Sequence, residues 1–285
     1  MQVAGREDEY GAENMKMRIG NREFDIEKEC YVMGILNVTP DSFSDGGKWN
    51  TIDAALKHTE DMIGQGCDII DIGGESTRPG HIMIGDDEES ERVVPVIEAV
   101  KSRFDIPVSL DTYKAEVAKA GIGAGADMIN DIWGCRYDNG EMAEVIAGSG
   151  LPCVLMHNRN STEYDDYPAD VVSDLEKCVK TAIAAGVKKE NIILDPGIGF
   201  GKTYEQNLKL MAELEIMNET GYPWLLGTSR KSMIGLALDL PADQRVEGTL
   251  ATTVMGVMKG CSFVRVHDVR ENLRAIKMTK AVMRS

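Results

Sequence analysis

Residues 31–47 have the sequence YVMGILNVTPDSFSDGG, an apolar run that turns polar at Asn37. The first six residues have the length and the apolar content of a buried strand. The rest has the composition of a loop, with Pro40, two serines, two aspartates and a glycine pair. A strand that ends in such a loop is typical either of an ordinary surface connection or of a functional site. The remaining sequence distinguishes the two.

The same unit, an apolar run followed by a polar loop, recurs along the chain. The eight runs cover residues 32–36, 69–72, 108–110, 128–130, 153–156, 192–194, 224–226 and 263–266. Amphipathic segments with helical spacing separate them, such as residues 52–65, 90–104, 114–124 and 171–185. Short strands that alternate with helices predict a parallel sheet, because each helix returns the chain to the same edge. We therefore predict an α/β fold, a single-domain (β/α)8 TIM barrel over residues 15–285, with a doubly wound open sheet as the alternative.

The segment before the first barrel strand has two parts. Residues 1–14 contain acids and glycines without the apolar centre of a signal peptide, and we predict a flexible N-terminal extension. Residues 16–19 and 22–26 flank Gly20 and Asn21, a pair typical of a two-residue turn. They predict a short N-terminal β-hairpin.

Composition restricts the class of ligand. The net charge of −16 disfavours nucleic acid and anionic membranes as partners. No apolar run approaches the roughly 18 residues of a membrane span. The six cysteines and four histidines are scattered, which favours buried reduced thiols and argues against zinc. We expect a cytoplasmic protein that acts on small molecules.

Polar or charged residues follow every predicted strand. In a TIM barrel the active site lies on the loops at the C-terminal strand ends. Capping of the next helix accounts for one such residue, but eight sets at the same rim indicate an active site. In chain order they are Asn37, Asp71, Asp111, Asn130 with Asp131, His157, Asp195, residues 229–232, and Arg265 with His267 and Asp268.

Five cations also lie at or just beyond these strand ends, although the chain is acidic. They are Arg78, Lys202, Arg230, Lys231 and Arg265. Helix N-termini point to the same rim, so the pattern predicts a site for a phosphorylated or carboxylated small molecule. Residues 197–203 are not a P-loop, because Pro196 stands where the first glycine is required.

Taken together, the loop sequences resemble dihydropteroate synthase. The matching segments are residues 34–47, 71–80, 109–112, 130–132, 195–202, 229–232 and 265–269. The resemblance implies that 6-hydroxymethyl-7,8-dihydropterin pyrophosphate is joined to p-aminobenzoate, which gives 7,8-dihydropteroate and pyrophosphate for folate biosynthesis. It also implies assistance by Mg²⁺ and a homodimer.

The resemblance implies a role for each residue at a matching position. The pterin would contact Asp111, Asn130, Ile132, Met156, Asp195, Phe200, Gly227, Lys231 and Arg265. The pyrophosphate would contact Asn37, Thr77, Arg78, Arg265 and His267, and p-aminobenzoate would contact Phe43, Pro79 and Ser232. Mg²⁺ would be held by Asn37 and Asp45, and the catalytic residues would be Asn37, Asp45, Lys231, Arg265 and His267. Residues 38–47 would form a lid over the reacting atoms.

Three alternative functions use the same fold. A methyltetrahydrofolate methyltransferase would share the pterin contacts but has no use for the anion contacts of Thr77, Arg78 and residues 229–231. A sugar-phosphate aldolase or isomerase is the second alternative. An aldolase of the Schiff-base type could use Lys231, but it leaves the pterin-side aspartates unexplained. A non-catalytic pterin-binding protein is distinguished only by an assay.

Overall fold

The structure is a computed structural model that describes residues 16–39, 48–76 and 83–285, without the side chains of residues 48–51. The predicted extension 1–14 and most of the predicted lid lie outside these residues. In the described part the chain forms an antiparallel hairpin and an eight-stranded parallel sheet surrounded by helices.

The hairpin consists of β1 (Lys16–Ile19) and β2 (Arg22–Asp25). The parallel strands are β3 (Tyr31–Asn37), β4 (Ile69–Gly73), β5 (Val108–Asp111), β6 (Met128–Asp131), β7 (Cys153–Met156), β8 (Ile192–Asp195), β9 (Leu225–Leu226) and β10 (Phe263–Val266). The neighbour order is β8-β7-β6-β5-β4-β3-β10-β9, and a bridge between Leu194 and Trp224 joins the two ends. The predicted barrel and hairpin are therefore confirmed, and the open sheet is wrong.

The helices of the described residues cover the outside of the barrel. They are α1 (Lys48–Gly64), α2 (Asp86–Arg103), α3 (Ala115–Gly123), α4 (Glu141–Ser149), α5 (Ala169–Ala185), α6 (Tyr204–Ala212), α7 (Ser232–Leu238), α8 (Val246–Met258) and α9 (Val269–Met283). In α5, Val171, Leu175, Cys178 and Ala182 are buried at helical spacing and pack against outward-facing strand residues. Helix α2 begins four residues before the predicted start, because its acidic residues 86–89 stabilise the first turn without any apolar periodicity.

The hairpin closes the N-terminal end of the barrel. Its buried side chains Met17, Ile19, Phe24 and Ile26 form one cluster with interior residues of seven strands. Those residues are Met33, Ile69, Met128, Val154, Ile193, Leu225 and Phe263. Gly20 turns the hairpin with a φ of +59°, a conformation that favours glycine. The bottom of the barrel is thus a packed apolar core.

A polar layer lies above this apolar layer, toward the C-terminal ends of the strands. Side chains in a strand alternate, so a residue two positions further on also faces the interior, nearer the C-terminal end. That step leads from Ile69 to Asp71, from Met128 to Asn130, from Ile193 to Asp195 and from Phe263 to Arg265. The barrel interior is therefore apolar at one end and polar at the other.

Shortening one hairpin side chain tests the packing of the bottom layer. We expect Ile19→Val to lower the free energy of unfolding by about 1 kcal/mol, because Ile19 is fully buried and loses one methyl group. Arg18→Lys, at the exposed neighbouring position, should change it by less than about 0.5 kcal/mol. Urea denaturation measures both, and equal effects would contradict the packing described.

All six cysteines are buried and free, as the sequence predicts. Among the described residues, no helix has the length and apolar content needed to cross a membrane.

Candidate active site

An ion-pair network occupies the interior polar layer. Arg265 on β10 donates from Nε to Asp71 Oδ2 on β4 at 2.5 Å, and from Nη2 to Asp111 Oδ2 on β5. Asn130 on β6 donates from Nδ2 to Asp71 Oδ2 at 3.3 Å. Asp195 ends β8, two strands from Asn130 on β6, in the same layer. Residues far apart in sequence therefore meet here because their strands share one barrel.

Burial and neighbouring charges shift the pKa values of these groups in opposite directions. Burial raises the pKa of the Asp111 carboxyl above its usual range, although the guanidinium of Arg265 opposes the shift. Burial also raises the pKa of Asp195, opposed chiefly by Lys231. For Arg265 burial alone would lower the pKa, but Asp71 and Asp111 outweigh it and raise the pKa above its usual value. The cations thus offset part of the cost of burying these carboxylates in their charged form.

One carboxylate oxygen in this layer is unsatisfied. Asp111 Oδ1 is buried, and no donor among the described residues reaches it. A buried acceptor without a partner costs about 1–3 kcal/mol, so such an atom is rare unless a ligand completes it. The site therefore presents an acceptor suited to an N–H donor of a ligand.

Asp195 and Lys231 form the second polar pair. Asp195 Oδ1 accepts a hydrogen bond of 2.7 Å from the Gly197 backbone N–H, which fixes the carboxylate. Lys231 donates from Nζ to the Ile198 carbonyl, and the ammonium lies 4.7 Å from the centre of the Phe200 ring. A Cβ at Gly227 would lie 3.6 Å from Asp195 Oδ2 and 3.9 Å from Lys231 Nζ. A larger residue at position 227 would fill the space beside both charges.

An apolar wall borders the polar layer. Tyr113, Ile132 and Met156 form one buried cluster, and Trp133 and Phe200 pack against it. A polar floor beside an aromatic and aliphatic wall suits a flat heterocycle with several N–H groups.

The geometry agrees with the comparisons with known proteins. The family model described as "Pterin binding enzyme" matches residues 33–267. The chain belongs to the pterin-binding enzyme family. It is 62% identical to dihydropteroate synthase of Clostridium beijerinckii over 94% of this chain and 100% of the relative, and 55% identical to that of Bacillus subtilis over 90% of each.

Solved structures show the same relationship. A dihydropteroate synthase of Clostridium difficile in the presence of pteroic acid is 52% identical, with a TM-score of 0.89 over 92% of this chain and 100% of that one. The Xanthomonas albilineans enzyme with 4-aminobenzoic acid is 40% identical, with a TM-score of 0.90 over 95% and 99%.

The structure brings most of the described candidate residues of this family member to one end of the barrel. Asn37 ends β3, where it pairs with Gly73 of β4. His267 follows β10, and its Nδ1 lies 2.9 Å from Ser229 Oγ, which also accepts from the His267 backbone N–H at 3.1 Å. Ser232 is exposed at the first position of α7. Five candidates, Phe43, Asp45, Thr77, Arg78 and Pro79, lie outside the described residues.

Two cations of the predicted anion cluster have other partners in the described structure. Arg230 forms a bidentate ion pair with Asp268, from Nε to Oδ2 at 3.0 Å and from Nη2 to Oδ1 at 2.6 Å. Lys202 donates to the carbonyls of Gly197 and Phe200. Only Lys231 and Arg265 of the described cations therefore belong to the interior polar layer.

Sequence reasoning missed Tyr113 and Trp133. Each lies two residues beyond a strand end, Asp111 and Asp131 respectively, in loops already chosen for their polar residues. Counting the aromatic residues of those loops as candidates for the pocket wall would have found both.

Proposed function

We propose that this chain is a dihydropteroate synthase. It joins 6-hydroxymethyl-7,8-dihydropterin pyrophosphate to p-aminobenzoate and releases 7,8-dihydropteroate and pyrophosphate. The observation that carries the proposal is the buried, unsatisfied Asp111 Oδ1, in one layer with Asn130 and Asp195. A pterin has a guanidine-like edge rich in N–H donors, which such acceptors can bind. The high identity to dihydropteroate synthases also supports this function.

The polar layer orients the pterin from three sides. Asp111 and Asp195 accept hydrogen bonds from the donor edge of the ring, and Asn130 completes that edge. The Lys231 ammonium donates to the acceptor edge. The Arg265 guanidinium stacks on a ring face while it pairs with Asp71 and Asp111. Ile132, Met156 and Phe200 enclose the ring between them.

The bond between the pterin methylene carbon and the pyrophosphate oxygen breaks before the new bond is complete. Negative charge develops on the departing oxygens, so the site needs donors fixed beforehand. Asn37, Arg265 and His267 are the described residues in this role, together with Thr77 and Arg78. The amine nitrogen of p-aminobenzoate then bonds to the methylene carbon, and its proton passes to solvent. Because the carbon is already electron-deficient, the amine needs no strong general base.

Mg²⁺ suits the donors available at this rim. The ion prefers oxygen ligands, keeps several waters and binds through few protein groups plus substrate phosphates. The Asn37 amide oxygen, at the end of β3, would provide one such ligand, and Asp45 would provide the second. When bound, the ion neutralises charge on the leaving pyrophosphate. The described residues contain no cluster of three or more His, Cys, Asp or Glu that could hold a metal alone.

The p-aminobenzoate site lies outside the pterin, at the mouth of the barrel. We propose that Phe43 and Pro79 flank the benzoate ring and that Ser232 contacts its carboxylate. Ser232 is exposed and directly follows Lys231, so the two substrates meet at adjacent residues at the start of α7.

The test is a purified-enzyme assay with the pterin pyrophosphate, p-aminobenzoate and Mg²⁺. We expect release of pyrophosphate that requires p-aminobenzoate, and formation of 7,8-dihydropteroate in equal amount. Failure to release pyrophosphate, together with demethylation of methyltetrahydrofolate, would establish the methyltransferase instead. Binding of the pterin without either reaction would indicate a binding protein.

The activity should depend on pH through Lys231. Burial lowers the pKa of its ammonium to about 8, although Asp195 opposes the shift. Below that pH the charged form binds the pterin, so kcat/KM for the pterin substrate should fall as pH rises through about 8. Lys231→Arg keeps its charge across this range, so its kcat/KM, though lower, should show no such decline. A decline unchanged in the variant would contradict the assignment.

We also propose that the enzyme is a cytoplasmic homodimer. Large apolar side chains are exposed on the adjacent helices α6, α7 and α8: Leu208, Leu236, Leu238, Met255 and Met258. Such a patch favours a protein interface, and a second copy of the chain is the proposed occupant. Sedimentation equilibrium should give twice the mass of the chain, and Leu236→Glu should shift the equilibrium toward the monomer. A monomeric wild type would contradict the proposal.

A further inference from the structure

Lys202 directs its side chain into the protein. Its Nζ lies 2.8 Å from the Gly197 carbonyl oxygen, 2.9 Å from that of Phe200 and 2.8 Å from His157 Nδ1. The two carbonyls accept an N–H in either protonation state of the lysine, and the ammonium form has a third proton for His157. All the hydrogen-bonding capacity of this cation is therefore used within the protein.

On its other side, His157 lies next to a charged cluster around Asp174. Burial lowers its pKa to about 4, so the imidazole is neutral near pH 7. Its Nε2 lies 3.4 Å from Asp174 Oδ2 on α5 and is buried without a hydrogen bond to a described residue. Asp174 also accepts from Arg159 at 2.5 Å and from Lys177 at 2.8 Å. When Nδ1 accepts from Lys202, the ring proton is on Nε2, on the side of the carboxylate.

The loop held by Lys202 has no space to shift toward its neighbour. Gly197 has a φ of +67°, and a Cβ there would lie 1.9 Å from the His157 carbonyl oxygen. Gly201 has a φ of +56°, and a Cβ there would lie 2.7 Å from the Arg159 carbonyl oxygen. The backbone of residues 197–201 is therefore in direct contact with the backbone after β7, which only glycine permits.

The same loop carries two groups that contact Lys231, which we propose binds the pterin. The Ile198 carbonyl accepts from Lys231 Nζ, and the Phe200 ring lies beneath that ammonium at 4.7 Å. Displacement of the loop would move both, and with them the cation on the acceptor edge of the ring.

We propose that Lys202 is a positioning residue for pterin binding, which acts by fixing the loop of residues 197–201 under Lys231. The inference rests on the proposed function, because it presumes a pterin in the polar layer. In this proposal Lys202 itself contacts neither substrate. Loss of the Lys202 side chain should therefore change the affinity for the pterin more than the rate of the chemical step.

The experiment compares Lys202→Met with wild type and with Lys177→Met. Lys177 belongs to the same cluster but is exposed and contacts Asp174 from outside, so it is the matched control. Calorimetry with 6-hydroxymethylpterin, which has no pyrophosphate, should show about tenfold weaker binding for Lys202→Met and none of this loss for Lys177→Met. KM for the pterin substrate should rise by the same factor, with kcat changed less than about threefold and KM for p-aminobenzoate unchanged.

Hydrogen–deuterium exchange provides a second measurement. The amides of residues 197–201 should exchange faster in Lys202→Met, whereas those of β9 should not change. Should that variant fail to fold, Lys202→Gln, which keeps an N–H donor with shorter reach, should show the same losses in part. Unchanged pterin affinity in a folded Lys202 variant would overturn the inference, even with a lower melting temperature. No pterin binding by wild type would instead overturn the proposed function.

Discussion

Arg265→Met should lower kcat/KM by at least about a hundredfold and the free energy of unfolding by about 3–5 kcal/mol. The guanidinium joins Asp71, which is fully buried, to Asp111, which is nearly so. Methionine fills similar volume but leaves two buried carboxylates without their cation. Removing one partner of a buried ion pair is far more costly than replacing both.

Urea denaturation and steady-state kinetics measure the two effects. Arg230→Met is the matched control, because Arg230 also pairs with an aspartate at this rim but is 34% exposed there. We expect it to cost no more than about 1 kcal/mol. Adding Asp111→Asn to Arg265→Met should restore part of the stability and none of the activity. A stable Arg265→Met protein would contradict the network described.

Asp195→Asn should weaken binding of the pterin substrate by at least about tenfold while the protein stays folded. The substitution keeps the shape but replaces a charged acceptor pair with one acceptor and one donor. In the proposed complex that donor would face an N–H of the ring. Because burial raises the pKa of Asp195, the ionised form is disfavoured in the folded state. The ionised Asp195 carboxylate therefore does not stabilise the fold, and its proposed role is to bind the ligand.

Fluorescence titration with the pterin substrate measures the loss, and thermal unfolding measures the stability. Glu205→Gln, at an exposed position in the first turn of α6, provides the control for removal of one carboxylate. Affinity like that of wild type in Asp195→Asn would refute the pocket.

The barrel architecture can be predicted from the sequence because each strand is marked by a short segment of the chain. Apolar runs bounded by polar loops predict each strand, and alternation from an interior residue such as Ile193 predicts that Asp195 also points inward. Resemblance then supplied the roles of those residues. These steps need only the positions of residues along the chain.

The partners of the cations could not be predicted, since they depend on distances across the barrel. Arg230 pairs with Asp268, and Arg265 pairs with Asp111, at separations of 38 and 154 residues. Spacing shows that a cation lies near the rim but not whether a carboxylate or a carbonyl already holds it. Lys202 illustrates the limit, because its acceptors are mainly backbone atoms that any sequence provides.

We propose that buried carboxylates in the barrel recognise the donor edge of a pterin. Isothermal titration of the wild-type protein with 6-hydroxymethylpterin and with 6-hydroxymethyllumazine tests it most directly. The lumazine has the same shape but carries a carbonyl acceptor in place of the 2-amino donor. We predict that the pterin binds at least about a hundredfold more tightly, because the lumazine would leave buried acceptors unpaired. Equal affinity for the two compounds would contradict recognition of the donor edge by these carboxylates.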